Sequence, residues 1–306
     1  MALTSLIEPD ASDRAAGPGR PDRPARSGRS RVQRTALWML PLSLLFLVPF
    51  FYGPLGGLLV RSFQPEEGGS IWTAYREVLG TGHLLDTVRQ SFEIAGLSFA
   101  LMLVLGWPLA YLIRFRVPPH ARLPVLMLLV LAGSISDIVR IYSWYALLGT
   151  NGIVNKALMG IGLTDGPVDG LLFSRFSVVI VLTAGWLPYV VIPIYSAMRS
   201  IDDSVIEASR DLYSGRFALF RTVLLPMSAP GILGAFIIVF VPVLSDFATP
   251  ALVGGPSSLM VGNFVSDQLL QVGDWPTAAA AASLLLVVSL LLVAGAQWVS
   301  RRFYGR

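Results

Sequence analysis

Ser204-Val-Ile-Glu207-Ala208-Ser209-Arg210-Asp211-Leu212-Tyr213-Ser214-Gly215 is a polar, charged run that continues through Val223-Leu224-Leu225-Pro226 to Pro230-Gly231-Ile232. Long apolar stretches flank it on both sides. Ser204 followed three residues later by Glu207 is a capping-box signature, which predicts a helix beginning there. Gly215 is expected to end that helix, because glycine enters positive φ without a Cβ penalty. A second short helix would then carry Phe217, Phe220 and Val223 on one face until Pro226 breaks it. Two short helices with a glycine bend, lying at a membrane surface, make a shape that another protein can grip.

The flanks decide the class. Of 306 residues 54% are hydrophobic and 14% charged, and the mean hydropathy is +0.66, the composition of a membrane protein. There is no cysteine, which excludes a disulfide framework, a thiol nucleophile and a thiolate-bound metal. The single lysine, Lys156, follows Asn155, so no Gly-Lys pair exists for a phosphate-binding loop. The two histidines, His83 and His120, lie far apart and read as interfacial polar residues.

Six stretches are long enough to cross a bilayer, which takes roughly 20 apolar residues. They lie near 36–60, 90–113, 123–148, 176–198, 230–253 and 277–299. Residues 1–35, rich in Arg, Pro, Gly, Ser and Asp, hold too little apolar surface to offset ordering and read as a disordered tail. Residues 36–300 then form one six-span domain, with the polar loop at about 200–229, and 301–306 a basic end. With the tail inside, the cytoplasmic segments hold its seven arginines, then Arg114, Arg116, Arg122, Arg199, Arg210, Arg216, Arg221, Arg301, Arg302 and Arg306. That is seventeen of the twenty-three basic residues. The bias places both termini and the Glu207 loop in the cytoplasm. The tail's arginines serve this orientation better than they would serve nucleic acid.

Proline interrupts the spans at Pro41, Pro49, Pro108, Pro188, Pro193, Pro242 and Pro250, a pattern tolerated where freed backbone groups face protein or a water-filled path. Ionisable groups at membrane depth cost about 2.5–3.5 kcal/mol each, so they face a cavity or a partner. Asp246, placed about midway along the fifth span, either pairs with an arginine at a subunit interface or lies shallower than its place in the run suggests, or else lines the path and favours cationic cargo. Asp137 and Arg140, three apart on one helical face, can satisfy each other. Tyr142, Trp144 and Tyr145 in the third span, with Trp186, Tyr189 and Tyr195 in the fourth, form an interfacial belt or a set of rings along the path.

The loop also resembles the cytoplasmic loop of permease subunits in bacterial ABC importers, whose pattern is Glu-Ala-Ala, three residues, Gly, nine residues, then Ile-x-Leu-Pro. Glu207, Ala208, Val223, Leu225 and Pro226 fall at that spacing. Ser209 replaces the second Ala; Tyr213 stands at the family's Gly, with Gly215 two residues late. Arg140-Ile-Tyr-Ser-Trp144, Leu148-Gly-Thr-Asn-Gly-Ile-Val-Asn155, Ser245-Asp-Phe247 with Gly254-Gly255, Gly262-Asn263 and Asp274-Trp-Pro-Thr-Ala278 resemble the polyamine (spermidine/putrescine) subgroup.

The resemblance implies an all-α type I importer permease in the bacterial inner membrane, working only in a complex. A second permease completes the pore, two ATP-binding subunits dock on the Glu207 loops, and an external solute-binding protein delivers cargo. ATP is bound by those partners, and this chain itself needs no cofactor or metal. Glu207, Ala208, Asp211, Gly215, Leu225 and Pro226 belong to the coupling loop in this reading. Phe217 and Phe220 serve either as apolar anchors in an ATPase groove or as packing against the chain's own spans. Ferric ion, a sulfate-like anion, an aminophosphonate or an opine-like solute are the other cargoes. From different classes, an intramembrane enzyme lacks a nucleophile–base or metal constellation in the spans, and an ion-gradient-driven secondary transporter has no need of the loop.

Overall fold

The computed structural model describes residues 44–64, 70–80, 82–212 and 215–304, and all regular structure among them is helical. The tail 1–35, the start of the first span with Pro41, and the bend expected at Tyr213 and Ser214 lie outside the described residues. The chain divides into two units at Gly56/Gly57. Helix α1, Leu44–Ser62, runs across that division; within the first unit Phe46 stacks on Phe50, ring centroids 4.7 Å apart.

In the second unit follow α2 (Thr73–Gly80), α3 (Gly82–Phe115), α4 (Pro119–Gly133), α5 (Asp137–Leu148), α6 (Ile153–Gly160), α7 (Arg175–Arg199) and α8 (Asp203–Leu212). Then come α9 (Phe217–Leu244), α10 (Ala248–Val253), α11 (Val261–Asp267) and α12 (Trp275–Tyr304). α1, α3, α7, α9 and α12 are long and apolar enough to span a membrane. α7 is the central helix: 61% of its most apolar window is buried, against 33% in α3 and 28% in α12. Ser174 opens it with a capping box shared with Ser177. Gly231 of α9 lets the α7 backbone approach, since a Cβ there would lie 2.5 Å from the Pro193 carbonyl oxygen. Small residues at helix crossings permit this in membranes.

Two spans depart from their expected form. The third, read as one helix over 123–148, is bent by 84° between α4 and α5. The break falls at Ser134–Ser136, whose polar residues do not extend the apolar run. The fifth, expected over 230–253, is α9, which begins thirteen residues earlier and ends at Leu244. Pro226 therefore does not break a short helix; Phe217 and Phe220 occupy the first turns of a long one. The reason is a π turn over Phe220–Leu224, where the Leu225 N–H donates to the Phe220 carbonyl, five residues back. Proline's ring clashes with the carbonyl four residues earlier, and a turn widened by one residue relieves that clash. Further π turns, Val48–Tyr52 and Phe236–Phe240, end two residues before Pro54 and Pro242 in the same way.

The loop helix α8 also differs in detail. It starts at Asp203, so Ser204 sits inside its first turn and Glu207 is not a capping residue. Ile201-Asp202-Asp203-Ser204 offers three capping-type residues in a row, and the earliest pair wins: the Val205 N–H already donates to the Asp202 carbonyl. α8 ends at Leu212, and Gly215 is not at positive φ. Its expected role as a left-handed helix stop is therefore not what this backbone uses.

Candidate functional site

Two places concentrate the chemistry. The first is the segment from α7 to α9. Ile206 and Ser209 of α8 are buried, whereas Glu207, Ala208, Asp211 and Leu212 are exposed. One face of α8 is thus anchored and the acidic one presented. Ile206 joins Ile201, Leu219 and Leu224 in an apolar cluster, onto which Trp107, Tyr111 and Phe115 of α3 pack. The two phenylalanines separate: Phe220 meets the Trp107 ring edge-on at 4.6 Å, while Phe217 stays 74% exposed. Leu225 is half-buried and Pro226 exposed. Between α3 and this segment lies a groove of about 850 Å³, rimmed by Arg116, Arg210, Gly215 and Phe217.

The second is a pocket of about 290 Å³ at the break between α4 and α5. Gly133, the Ser134–Ser136 break, Asp137, Arg140, Gly185, Trp186 and Tyr189 line it. The Tyr189 hydroxyl donates to the Gly133 carbonyl at 3.0 Å, pinning α7 to the end of α4. Arg140 Nη2 donates to Asp137 Oδ1, the pairing that their spacing predicts. The partners are unlike in setting: the arginine side chain is 16% exposed and the aspartate 68%. Arg140 Nε is buried with no hydrogen-bond partner among the described residues. Gly185 makes the room, because a Cβ there would lie 2.6 Å from Arg140 Nε and Nη2.

The pocket thus gathers Asp137, Trp186 and Tyr189 from the expected path residues and leaves out three. Tyr142 is exposed and Trp144 half-buried on α5, and neither lines it. Asp246 is not mid-span but beyond the end of α9. Its Oδ1 accepts from the N–H groups of Ala248 (2.9 Å) and Thr249 (3.2 Å), and its Oδ2 from the Thr249 hydroxyl (2.7 Å). The carboxylate caps α10 and pairs with no arginine among the described residues. Asn263 donates to the Phe247 carbonyl, and a Cβ at Gly262 would lie 2.5 Å from the Ser245 carbonyl oxygen. The sequence stretches around Asp246 and Asn263 are therefore one packed corner.

Gly185 and the Ser134–Ser136 break were not singled out from sequence. The signal for the break was Gly133-Ser-Ile-Ser-Asp137, a polar interruption read through as membrane span.

Residues 35–304 match the model of the family described as binding-protein-dependent transport system inner membrane component. The spermidine/putrescine transport system permease protein PotB of Haemophilus influenzae is 32% identical over 261 residues, 83% of this chain and 91% of that protein. Permease protein PotC of the spermidine/putrescine system of Escherichia coli K12 is 26% identical over 82% of this chain and 90% of its own length. Among solved structures, a chain of a bacterial ABC transporter involved in import of the acidic polysaccharide alginate superposes with a TM-score of 0.73. It is 22% identical, and the match covers 90% of this chain and 99% of that one.

Proposed function

Since the chain belongs to the family of inner membrane components of binding-protein-dependent transport systems, and is thus a multi-pass permease of an ABC importer, we propose that its cargo is a polyamine such as spermidine or putrescine. The observation that carries the cargo is the likeness to the spermidine/putrescine permease over 83% of this chain. The chemistry of the break pocket is compatible with it. Trp186 and Tyr189 offer ring faces to an ammonium group. The Asp137 carboxylate, largely exposed, offsets the charge of Arg140 on the side that a passing cation meets.

The chain lies in the bacterial inner membrane with both termini in the cytoplasm and works with a second permease, completing the pore, and an external solute-binding protein. Two ATP-binding subunits hydrolyse ATP and dock on the exposed face of α8, Glu207, Ala208 and Asp211, with Phe217 beside it. When they close, α8 is pushed and the path switches from inward- to outward-facing. No bond is made or broken in this chain. An anion path is disfavoured because the pocket's one guanidinium is already engaged by Asp137.

The test is uptake of radiolabelled spermidine or putrescine by the full complex in liposomes, driven by internal ATP, with sulfate as competitor. Polyamine uptake that sulfate leaves unchanged, and that Glu207→Lys abolishes while the chain still inserts, is the expected result. Absence of polyamine uptake by a complex that hydrolyses ATP would overturn the cargo. Full activity of Glu207→Lys would overturn the docking face.

A further inference from the structure

We propose that Arg114 is a positioning residue that fastens α8 to α3, so that displacement of the loop reaches the transport path through α3. The inference rests on the reading of α8 as the face on which the ATP-binding subunits act. Arg114 lies in the last turn of α3, with its side chain only 10% exposed. Its Nη2 donates both to Asp203 Oδ1 at 2.7 Å and to the Ile201 carbonyl at 3.2 Å. One guanidinium therefore holds the first residue of α8 and the segment leading into it. A cation at a helix C-terminus already interacts favourably with the helix dipole, which water-exposed Arg116 could do equally. Burial of Arg114 goes beyond that need and makes its two acceptors count, since an engaged buried charge is costly to strand.

The far side of the loop is fastened to the same helix. Trp107, seven residues earlier on α3, donates from Nε1 to the Ser228 hydroxyl of α9 at 2.9 Å and receives the Phe220 ring. Trp107, Tyr111, Arg114 and Phe115 are spaced as one stripe of a helix, and three of them pack on the loop's apolar cluster. Further along, α3 lies directly on α7, where a Cβ at Gly106 would stand 3.2 Å from Val190. Val190 adjoins Tyr189, which with Trp186 lines the break pocket. Packing thus joins α8 to α3 and α3 to α7, the helix that carries Trp186 and Tyr189 of the pocket, and the line begins at the Arg114–Asp203 pair.

The experiment uses the full complex in liposomes with its ATP-binding and solute-binding partners. Arg114→Gln, Asp203→Asn and Asp203→Glu are compared for assembly, ATP hydrolysis and spermidine uptake. Assembly and hydrolysis persist in Asp203→Asn, while uptake per ATP falls roughly tenfold, a usual size for coupling between sites. Asp203→Glu, which keeps a carboxylate for Arg114 Nη2 to donate to, retains most of the uptake per ATP. Unchanged uptake per ATP in Asp203→Asn overturns the proposal. If Arg114→Gln fails to assemble, Asp203→Asn decides alone, because asparagine keeps an oxygen acceptor at this 74% exposed position and Arg114 retains its bond to the Ile201 carbonyl. Loss of uptake in Glu207→Lys with an unaltered Asp203→Asn removes the fastening only; full activity of Glu207→Lys removes both readings.

Discussion

Neutralising the two partners of the Asp137–Arg140 pair should have unequal effects. Breaking an exposed pair costs about 0–1 kcal/mol, whereas removing one member of a buried pair costs about 3–5 kcal/mol. Here the guanidinium is 16% exposed and the carboxylate 68%, so the cost depends on which charge is left behind. Asp137→Asn leaves the cation inside the protein, with Nε already lacking a partner; discounted for the exposed side, this costs about 1–3 kcal/mol. Arg140→Gln leaves a carboxylate that water can solvate, and costs less than about 1 kcal/mol. The double variant should resemble Arg140→Gln, with a coupling of about 1–3 kcal/mol. Transport should follow the same order. At an effective dielectric constant of about 20, an ammonium that meets an unneutralised guanidinium at close range is repelled by about 2–4 kcal/mol. That lowers polyamine uptake more than tenfold in Asp137→Asn, and the double variant recovers it. The assays are thermal unfolding of the complex in lipid nanodiscs and uptake in liposomes. Equal losses for the two single variants, or losses that simply add in the double one, would refute the reasoning.

At the α7–α9 crossing, Gly231→Ala puts a methyl group 2.5 Å from a backbone oxygen and should cost about 1–3 kcal/mol by overpacking. Gly234→Ala, with 3.8 Å to Pro193 Cβ, should be close to neutral; the melting temperatures of the two variants check this. Single cysteines in this cysteine-free chain test orientation: an impermeant thiol reagent on intact cells should label Leu163→Cys, which is exposed, and spare Ala208→Cys. The opposite labelling would invert the topology.

Element type was largely legible in the sequence because apolar runs of membrane length leave few alternatives. The pairing of Asp137 with Arg140 was legible too, since three residues on a helix set one face. The ends of elements were not. Periodicity carries no mark of a π turn, so Pro226 looked like a stop and the loop appeared longer than it is. The apolar run 230–253 hid the end of α9, because Val243-Leu-Ser-Asp-Phe-Ala248 contributes only two polar residues. The available clue was Asp246 with Thr249 three residues on, the spacing of an N-terminal cap. Arg114 was counted only as a charge that orients the chain. Its place in Tyr111-Leu-Ile-Arg114-Phe115, an arginine embedded in an apolar stripe, already suggested a buried partner.

The second π turn of α9, Phe236–Phe240, has a geometric consequence. Leu224, Ser228, Gly231, Ala235, Val239 and Val243 run along one buried side of α9, with Phe240 and Leu244 buried beside them, and five steps carry the run across nineteen residues. Five steps at about 3.6 residues would cover about eighteen. The surplus residue is the one that Phe236–Phe240 inserts, and it acts as a shim. It keeps the lower half of the helix, seated on α7 through Gly231, in phase with the upper half, where Phe236 and Phe240 meet Phe99 of α3. Without it the two halves would be out of step by about 100°, and the Phe236 and Phe240 rings would turn away from Phe99.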